Sequence, residues 1–185
     1  MKKLYKLLVI VGLLAPMLGV TAASAQVKTA DAIIKELSAD NAGPLVRSMG
    51  AAAATALPPS NPLPASFDFS RVDLTVQFDG DSHLLTTQGM TVLRSLAAAL
   101  NDGKLKEGRF QIGAHAVAKG ASNASQALSA RRAATVVEHL SLFYGVDATR
   151  LFPVGYGQSA PIDAANLGNP LNQRITVINF ATPAE

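Results

Sequence analysis

The sequence of 185 residues contains no cysteine, which excludes a disulfide framework and any metal site built from thiolates. Aromatic residues make up 5% of the chain, too few to form a surface on which bases or sugar rings stack. Charged residues are also sparse, at 16%, whereas 49% of the residues are hydrophobic. The distribution of these apolar residues therefore carries most of the information in the chain.

The first 25 residues have the three parts of a secretory signal peptide. A head with three lysines precedes an apolar stretch over 7–20, and the small residues Ala23 and Ala25 follow it. An uncleaved membrane anchor is the alternative, but the stretch is shorter than the ~20 residues that a spanning helix needs, and Pro16 interrupts it. We therefore expect cleavage after Ala25, export to the periplasm and, since no cysteine follows, no lipid anchor.

The net charge of +3 comes entirely from the predicted signal peptide. Removal of its three lysines leaves 13 of the 16 Lys and Arg residues, which equals the 13 Asp and Glu residues. A neutral chain has no electrostatic footprint for a polyanion. We therefore expect no nucleic-acid partner.

Two segments precede the region with regular patterning. A short amphipathic helix is predicted over 26–39, where Thr29 or Asp31 supplies the cap and the apolar side chains share one face. The stretch 40–66 is rich in alanine and proline, a composition typical of an extended linker. A linker of this kind would let the following domain, predicted over 67–182, reach a partner at some distance.

Hydrophobic periodicity predicts six elements in the order β-α-β-α-β-β. Apolar residues alternate with polar ones over 72–78, and a helix capped by Thr86 or Thr87 runs to Leu100. A second strand, a long helix stopped by Gly145 and two further strands follow, over 110–114, 125–144, 151–155 and 174–180. Both helices must bury an apolar face, which favours an α/β (α+β) two-layer sandwich with the helices on one side of the sheet.

One stretch carries a family motif. Residues 112–133 read Ile-Gly-Ala-His-Ala-Val-Ala-Lys-Gly-Ala-Ser-Asn-Ala-Ser-Gln-Ala-Leu-Ser-Ala-Arg-Arg-Ala. This resembles the OmpA-like signature, in which a strand ending Gly-His-Thr-Asp leads into a helix reading Leu-Ser-x-x-Arg-Ala. Further matches lie at 76–82, 150–161 and 172–175. The resemblance covers about 68–180 and implies the OmpA-like fold.

The resemblance also implies a ligand. OmpA-like domains usually bind peptidoglycan non-covalently: an aspartate receives the amino group of the diamino acid in the peptide stem, and an arginine receives its carboxylate. The arginine position matches Arg132, and we expect Arg174 and Asp79 to contribute to the same ligand site. The aspartate position is Val117, which cannot balance an ammonium group. The loss of that charge-assisted contact, worth ~1.5–3 kcal/mol, would weaken diamino-acid recognition.

Other positions depart from the family motif as well. The threonine before the motif aspartate is replaced by Ala116. The family signature also has a Tyr-Asn pair leading into the helix and a closing Asn-Arg-Arg-Val motif; here Ser125 replaces the asparagine of the pair, and Gln173 replaces the first arginine of the closing motif. These departures favour an alternative function, in which a degenerate OmpA-like module binds a protein and no longer binds peptidoglycan.

Helical geometry gives a partly independent view of Arg132. With ~100° of turn per residue, Leu128, Val136, Leu140 and Phe143 form an apolar stripe that Arg132 borders, within about two turns of the predicted helix start. A partly buried guanidinium needs an acceptor and fits a carboxylate well. That acceptor is either a ligand carboxylate or an internal acid, with Asp79 and Asp81 as the candidates.

The remaining polar residues give no sign of catalysis. His115 matches the motif histidine, for which we expect a structural role, and it shares no metal-ligand spacing with the other two histidines. No serine lies in a nucleophile motif. The sequence therefore predicts a cell-envelope binding protein, with no enzymatic activity, no cofactor and no metal. Association with the cell outer membrane through an outer-membrane or periplasmic protein partner stays open.

Overall fold

A computed structural model describes residues 27–43, 61–63, 68–118 and 122–181. The predicted signal peptide and most of the predicted linker lie outside these ranges. The elements, in chain order, are α1 (Ala30–Leu37), β1 (Ser70–Leu74), α2 (Thr87–Leu100), β2 (Arg109–His115), α3 (Ser122–Tyr144), β3 (Leu151–Gly157) and β4 (Arg174–Ala181). Short 3-10 turns occur at Ala39–Asn41, Ala148–Arg150 and Pro170–Asn172.

The four strands form one sheet in the order β1-β4-β2-β3. Strand β4 runs antiparallel to both of its neighbours, whereas β2 and β3 are parallel and are joined through α3. The core lies between one face of the sheet, with Val72, Ile112 and Val177, and the helices, with Leu93 and Val136. The predicted α+β sandwich and its order of elements after residue 67 are confirmed.

Caps and turns define the ends of the helices, as the sequence predicts. The Thr29 hydroxyl accepts a hydrogen bond from the amide of Ala32, and the Thr86 hydroxyl accepts one from Gly89. At the carboxyl-terminal end of α3, Gly145 adopts φ +66, a left-handed conformation that glycine reaches without strain. These features could be predicted from the sequence because each depends on residues close together in the chain.

Three details differ from the sequence-based prediction. Strand β1 ends at Leu74, because its partner β4 begins at Arg174, opposite the end of β1. Helix α3 begins at Ser122, so Arg132 lies almost three turns from its start, beyond the reach of the helix dipole. The predicted apolar stripe is wrong at Phe143, which is 68% exposed. The buried face of α3 instead consists of Ser125, Ser129, Arg132, Ala133, Val136 and Leu140.

Helix α1 belongs to the helical layer, which the sequence did not predict. Ile33 and Leu37 are fully buried in the main core. The Asn179 side chain donates a 2.9 Å hydrogen bond to the carbonyl of Leu37, and the Ser70 hydroxyl donates a 2.7 Å bond to that of Ser38. Three helices therefore cover the inner face of the sheet.

The outer face of the sheet contacts residues 61–63. The Gln111 side chain donates a 2.7 Å hydrogen bond to the carbonyl of Asn61, and Leu63 packs against a small apolar cluster that includes Phe69 and Phe180. Among the described helices, none combines the length and the hydrophobicity needed to cross a membrane.

Candidate functional site

Arg132 is held where three segments meet. It lies on α3 and is 3% exposed. Its Nε donates a 2.9 Å hydrogen bond to the carbonyl of Ser82, and its Nη2 donates a 2.8 Å bond to that of Gly80. Its Nη1 donates a 3.1 Å bond to Oε1 of Gln173, just before β4. The guanidinium carbon also lies 4.6 Å from the centre of the Phe78 ring.

Among the described residues, no acid forms an ion pair with this guanidinium. Of the two internal partners that the sequence offered, neither Asp79 nor Asp81 forms an ion pair with Arg132 within 4.0 Å in the described structure, and both are exposed. Burial lowers the pKa of Arg132, and the charge of Asp81 opposes that effect. A buried cation surrounded mainly by neutral acceptors is suited to bind an added anion.

A tight turn positions the carbonyl acceptors. The amide of Asp79 donates to the carbonyl of Leu84 at 2.8 Å, and the amide of Ser82 donates to the carbonyl of Asp79 at 3.0 Å. Gly80 takes φ +53, a conformation that a side chain would strain. The turn therefore directs the carbonyls of Gly80 and Ser82 towards Arg132. Asp79 belongs to this turn, but within the described structure its exposed carboxylate forms no ion pair with the guanidinium, and its predicted role in ligand binding stays a prediction.

The altered motif positions differ in how accessible they are. Ala116 is fully buried, and its amide donates to the carbonyl of Gly157 at 3.1 Å. Ser125 is also fully buried, where its hydroxyl accepts hydrogen bonds from the amide of Ala118 and the side chain of Gln158, both at 2.9 Å. Val117 is half-buried. Of these three predicted ligand positions, only Val117 offers surface to a ligand without local opening.

The structure does not bring Arg174 to the Arg132 site. Side chains alternate along β4, so Arg174 lies on the outer face of the sheet, whereas Ile175 faces the helices. Arg174 Nε lies 3.3 Å from the Asp73 carboxylate on β1. The expectation of one site containing both arginines is therefore wrong. Successive residues point to opposite faces of a sheet, so Gln173, and not Arg174, lies beside Arg132.

His115 lies at the end of β2, where the sequence predicts a structural role for it. It is 5% exposed on the outer face and stacks on Tyr156 with the ring centres 4.7 Å apart. Burial, and then the charge of Arg174, lower its pKa to about 4, while a contact with the carbonyl of Ser159 opposes the shift. Within the described ranges, no three His, Asp or Glu side chains are grouped to hold a metal ion.

Two buried polar residues near the site were missed by sequence reasoning. The Ser129 hydroxyl accepts a 2.9 Å hydrogen bond from the amide of Gly157, which ties α3 to the end of β3. The Asn172 side chain donates to the carbonyls of Asp163, Asn166 and Leu167 and so organises the loop before Gln173. The sequence indicated a special role for these two residues only through their positions inside the Leu-Ser-x-x-Arg and Asn-x-Arg motifs.

The fold and the buried arginine define a class: an α+β sandwich of the OmpA-like type. A model of the OmpA family matches residues 77–174, just over half of the chain. The chain belongs to the OmpA family. It is 30% identical over 118 residues to outer membrane porin F of Pseudomonas aeruginosa, a match that covers 63% of this chain and 33% of porin F. The chain thus spans about one third of that relative.

Solved structures show the same fold. The periplasmic domain of MotB from Helicobacter pylori superposes with a TM-score of 0.53 at 20% identity, over 63% of this chain and 75% of that domain. The peptidoglycan-associated lipoprotein of Burkholderia pseudomallei gives a TM-score of 0.47 at 25% identity, over 56% of this chain and 86% of the lipoprotein. The likeness to the MotB domain shows the fold of the residues that carry the site.

Proposed function

We propose that this protein is exported by a cleaved signal peptide to the periplasm and binds peptidoglycan non-covalently through its OmpA-like domain. Membership of the OmpA family supports the ligand class, and similarity to an outer membrane porin supports a location in the cell envelope. The protein acts as a binding protein and not as an enzyme. Its association with the outer membrane is peripheral, through a protein partner.

The observation that carries the proposal is the guanidinium of Arg132. A guanidinium has five N–H donors, of which three reach protein oxygens. No partner among the described residues takes the other two. Because the two carbonyl acceptors belong to a rigid turn, the exposed Gln173 side chain is the group that a ligand most easily replaces. The carboxylate of a peptide stem then takes the place of Oε1 of Gln173 and receives bonds from both Nη atoms.

Co-sedimentation with purified sacculi tests the proposal. The chain from Gln26 onwards retains every described residue, and we expect it to pellet with sacculi. Arg132→Gln should reduce the affinity for sacculi at least tenfold, because it removes a charge-assisted contact. Arg131→Gln is the matched control, since this exposed neighbour lies on the same turn of α3. Circular dichroism must show that both variants are folded.

A competition experiment avoids any substitution at the buried arginine. A soluble stem peptide with a free carboxylate on its diamino acid should release the wild-type protein from sacculi, whereas the same peptide with that carboxylate amidated should not. Equal release by both peptides, or failure of the wild-type protein to pellet, would rule out carboxylate recognition by this site.

A second function is favoured by Val117. Without an aspartate at this position, nothing equivalent balances the ammonium group of a diamino acid, and the domain then serves as a module for binding another protein. In this case the wild-type protein stays in the supernatant, while Val117→Asp, at a half-buried position that can accept a carboxylate, restores pelleting. Pelleting of the wild-type protein that Val117→Asp does not change would count against the alternative.

A further inference from the structure

A second cavity lies on the outer face of the sheet, away from Arg132. Its volume is about 140 Å³. Side chains from all four strands line it, among them Asp73 of β1, His115 of β2, Tyr156 of β3 and Arg174 of β4. A water molecule occupies ~30 Å³ in the liquid, so the space suits a ligand of a few heavy atoms.

The cavity contains a cation with an unused donor. The Arg174 side chain is 10% exposed; its Nε lies 3.3 Å from the Asp73 carboxylate, and its Nη2 donates a 3.0 Å hydrogen bond to the carbonyl of Ala160. Its Nη1 is buried and has no hydrogen-bond partner among the described residues. An unsatisfied buried donor on a charged group is costly, and an acceptor placed in the cavity would remove that cost.

The charges around the cavity favour an anion. Among the described residues of the lining, the only acid is Asp73, whose carboxylate already accepts bonds from Arg174 and from the Thr176 hydroxyl. Arg71, at 57% side-chain exposure, adds a second positive charge at the rim, where its Nη2 lies 3.9 Å from the carboxylate of Asp68, an exposed residue outside the lining. The low pKa of His115, about 4, keeps that ring neutral at pH 7. The lining therefore carries one net positive charge at neutral pH.

One part of the cavity wall is apolar. Leu63, Phe69 and Ile178 line the cavity beside the charged groups. An inorganic anion such as sulfate would gain nothing from these side chains, whereas a ligand with a short hydrocarbon part would bury it there. We propose that this cavity binds a small carboxylate bearing a short apolar group, such as a free branched acid or the carboxyl-terminal alanine of a peptide.

Titration monitored by NMR tests this site in the chain from Gln26 onwards. Isobutyrate should shift the amide signals of His115, Tyr156 and Thr176 in a saturable manner, whereas isobutyramide and sulfate should not. Arg174→Gln should weaken isobutyrate binding roughly tenfold to 100-fold, the range for a charge-assisted contact. Arg94→Gln, changed at an exposed residue of α2 on the other side of the sheet, should bind as the wild type does.

A parallel titration with N-acetyl-alanine identifies the source of the carboxylate. Tighter binding than isobutyrate indicates a peptide terminus, and weaker binding indicates a free acid. Should Arg174→Gln fail to fold, Ile178→Phe provides the second variant, because a larger side chain on the apolar wall should exclude isobutyrate. Absence of saturable shifts in the wild type, or equal binding of isobutyrate and isobutyramide, would overturn the proposal. Neither result depends on sacculus binding.

Discussion

Arg132 owes its position to acceptors that carry no full charge. Two backbone carbonyls and one side-chain amide hold the guanidinium in place, and the Phe78 ring covers one of its faces. An internal carboxylate would have fixed the arginine equally well, but it would also have neutralised it. The observed arrangement orients the cation and leaves its charge available to a ligand.

Gln173 should compete with that ligand. Gln173→Ala removes the one acceptor of Arg132 that an exposed side chain provides. A hydrogen bond from a charged donor is worth about 1.5–3 kcal/mol, so the affinity for sacculi should increase by up to roughly tenfold to 100-fold. Binding isotherms from co-sedimentation at several protein concentrations measure this change. Weaker binding by Gln173→Ala would mean that the glutamine side chain itself contacts the ligand.

His115 should make stability depend on pH below neutrality. Its pKa falls from 6.5 to about 4 on folding, chiefly through burial, so the unfolded state binds more protons between these values. The stabilisation is complete above pH 6.5 and decreases as the pH falls to 4, by up to roughly 3 kcal/mol. Urea unfolding at several pH values should show this trend. His115→Gln should flatten it, whereas His83→Gln, changed at an exposed histidine, should not.

At the scale of elements, α3 approaches β3 through small residues. A Cβ atom added to Gly155 would lie 2.6 Å from the backbone nitrogen of Ala130 and 2.8 Å from Oγ of Ser129. Gln126 also donates a 2.8 Å hydrogen bond to the Gly155 carbonyl. The helix that carries Arg132 is therefore positioned by its direct contact with the strand backbone.

Gly155→Ala should consequently destabilise the protein. The methyl group would force α3 away from β3, and overpacking of this kind typically costs about 1–3 kcal/mol. It should also weaken sacculus binding, because Arg132 would move with the helix. Gly103→Ala is the control, since a Cβ there meets nothing within 4 Å. Urea unfolding of both variants measures the effect, and equal stability would show that α3 adjusts without cost.

The sequence predicted most elements because their signals are local. Alternation, helical spacing and caps such as Thr86 depend on neighbouring residues. The face on which Arg174 lies and the absence of an acid beside Arg132 depend on contacts between distant segments, which periodicity does not report. The family motif singled out Arg132, whose guanidinium contacts the 79–82 turn in the structure. It did not reveal that buried Ser125 and Ser129 serve to connect strands and helix.

For the whole molecule, the main surprise is how much of the chain before residue 67 contacts the sandwich. Helix α1 fills part of the inner layer, and residues 61–63 lie on the outer face. The linker predicted over 40–66 remains a prediction, because most of it falls outside the described residues. The two described parts nevertheless show that this preceding segment contacts both faces of the sheet.

This packing yields a test of where the folding unit begins. Ile33 and Leu37 are both fully buried, and loss of one such side chain typically costs about 2–5 kcal/mol. A chain that starts at Phe67 should therefore unfold at a lower urea concentration than one that starts at Gln26. Leu37→Ala should reproduce much of the loss, whereas Lys35→Ala, at an exposed position of α1, should not. Equal stability of the two chains would show that α1 rests on a core complete without it, and the domain boundary predicted at residue 67 would stand.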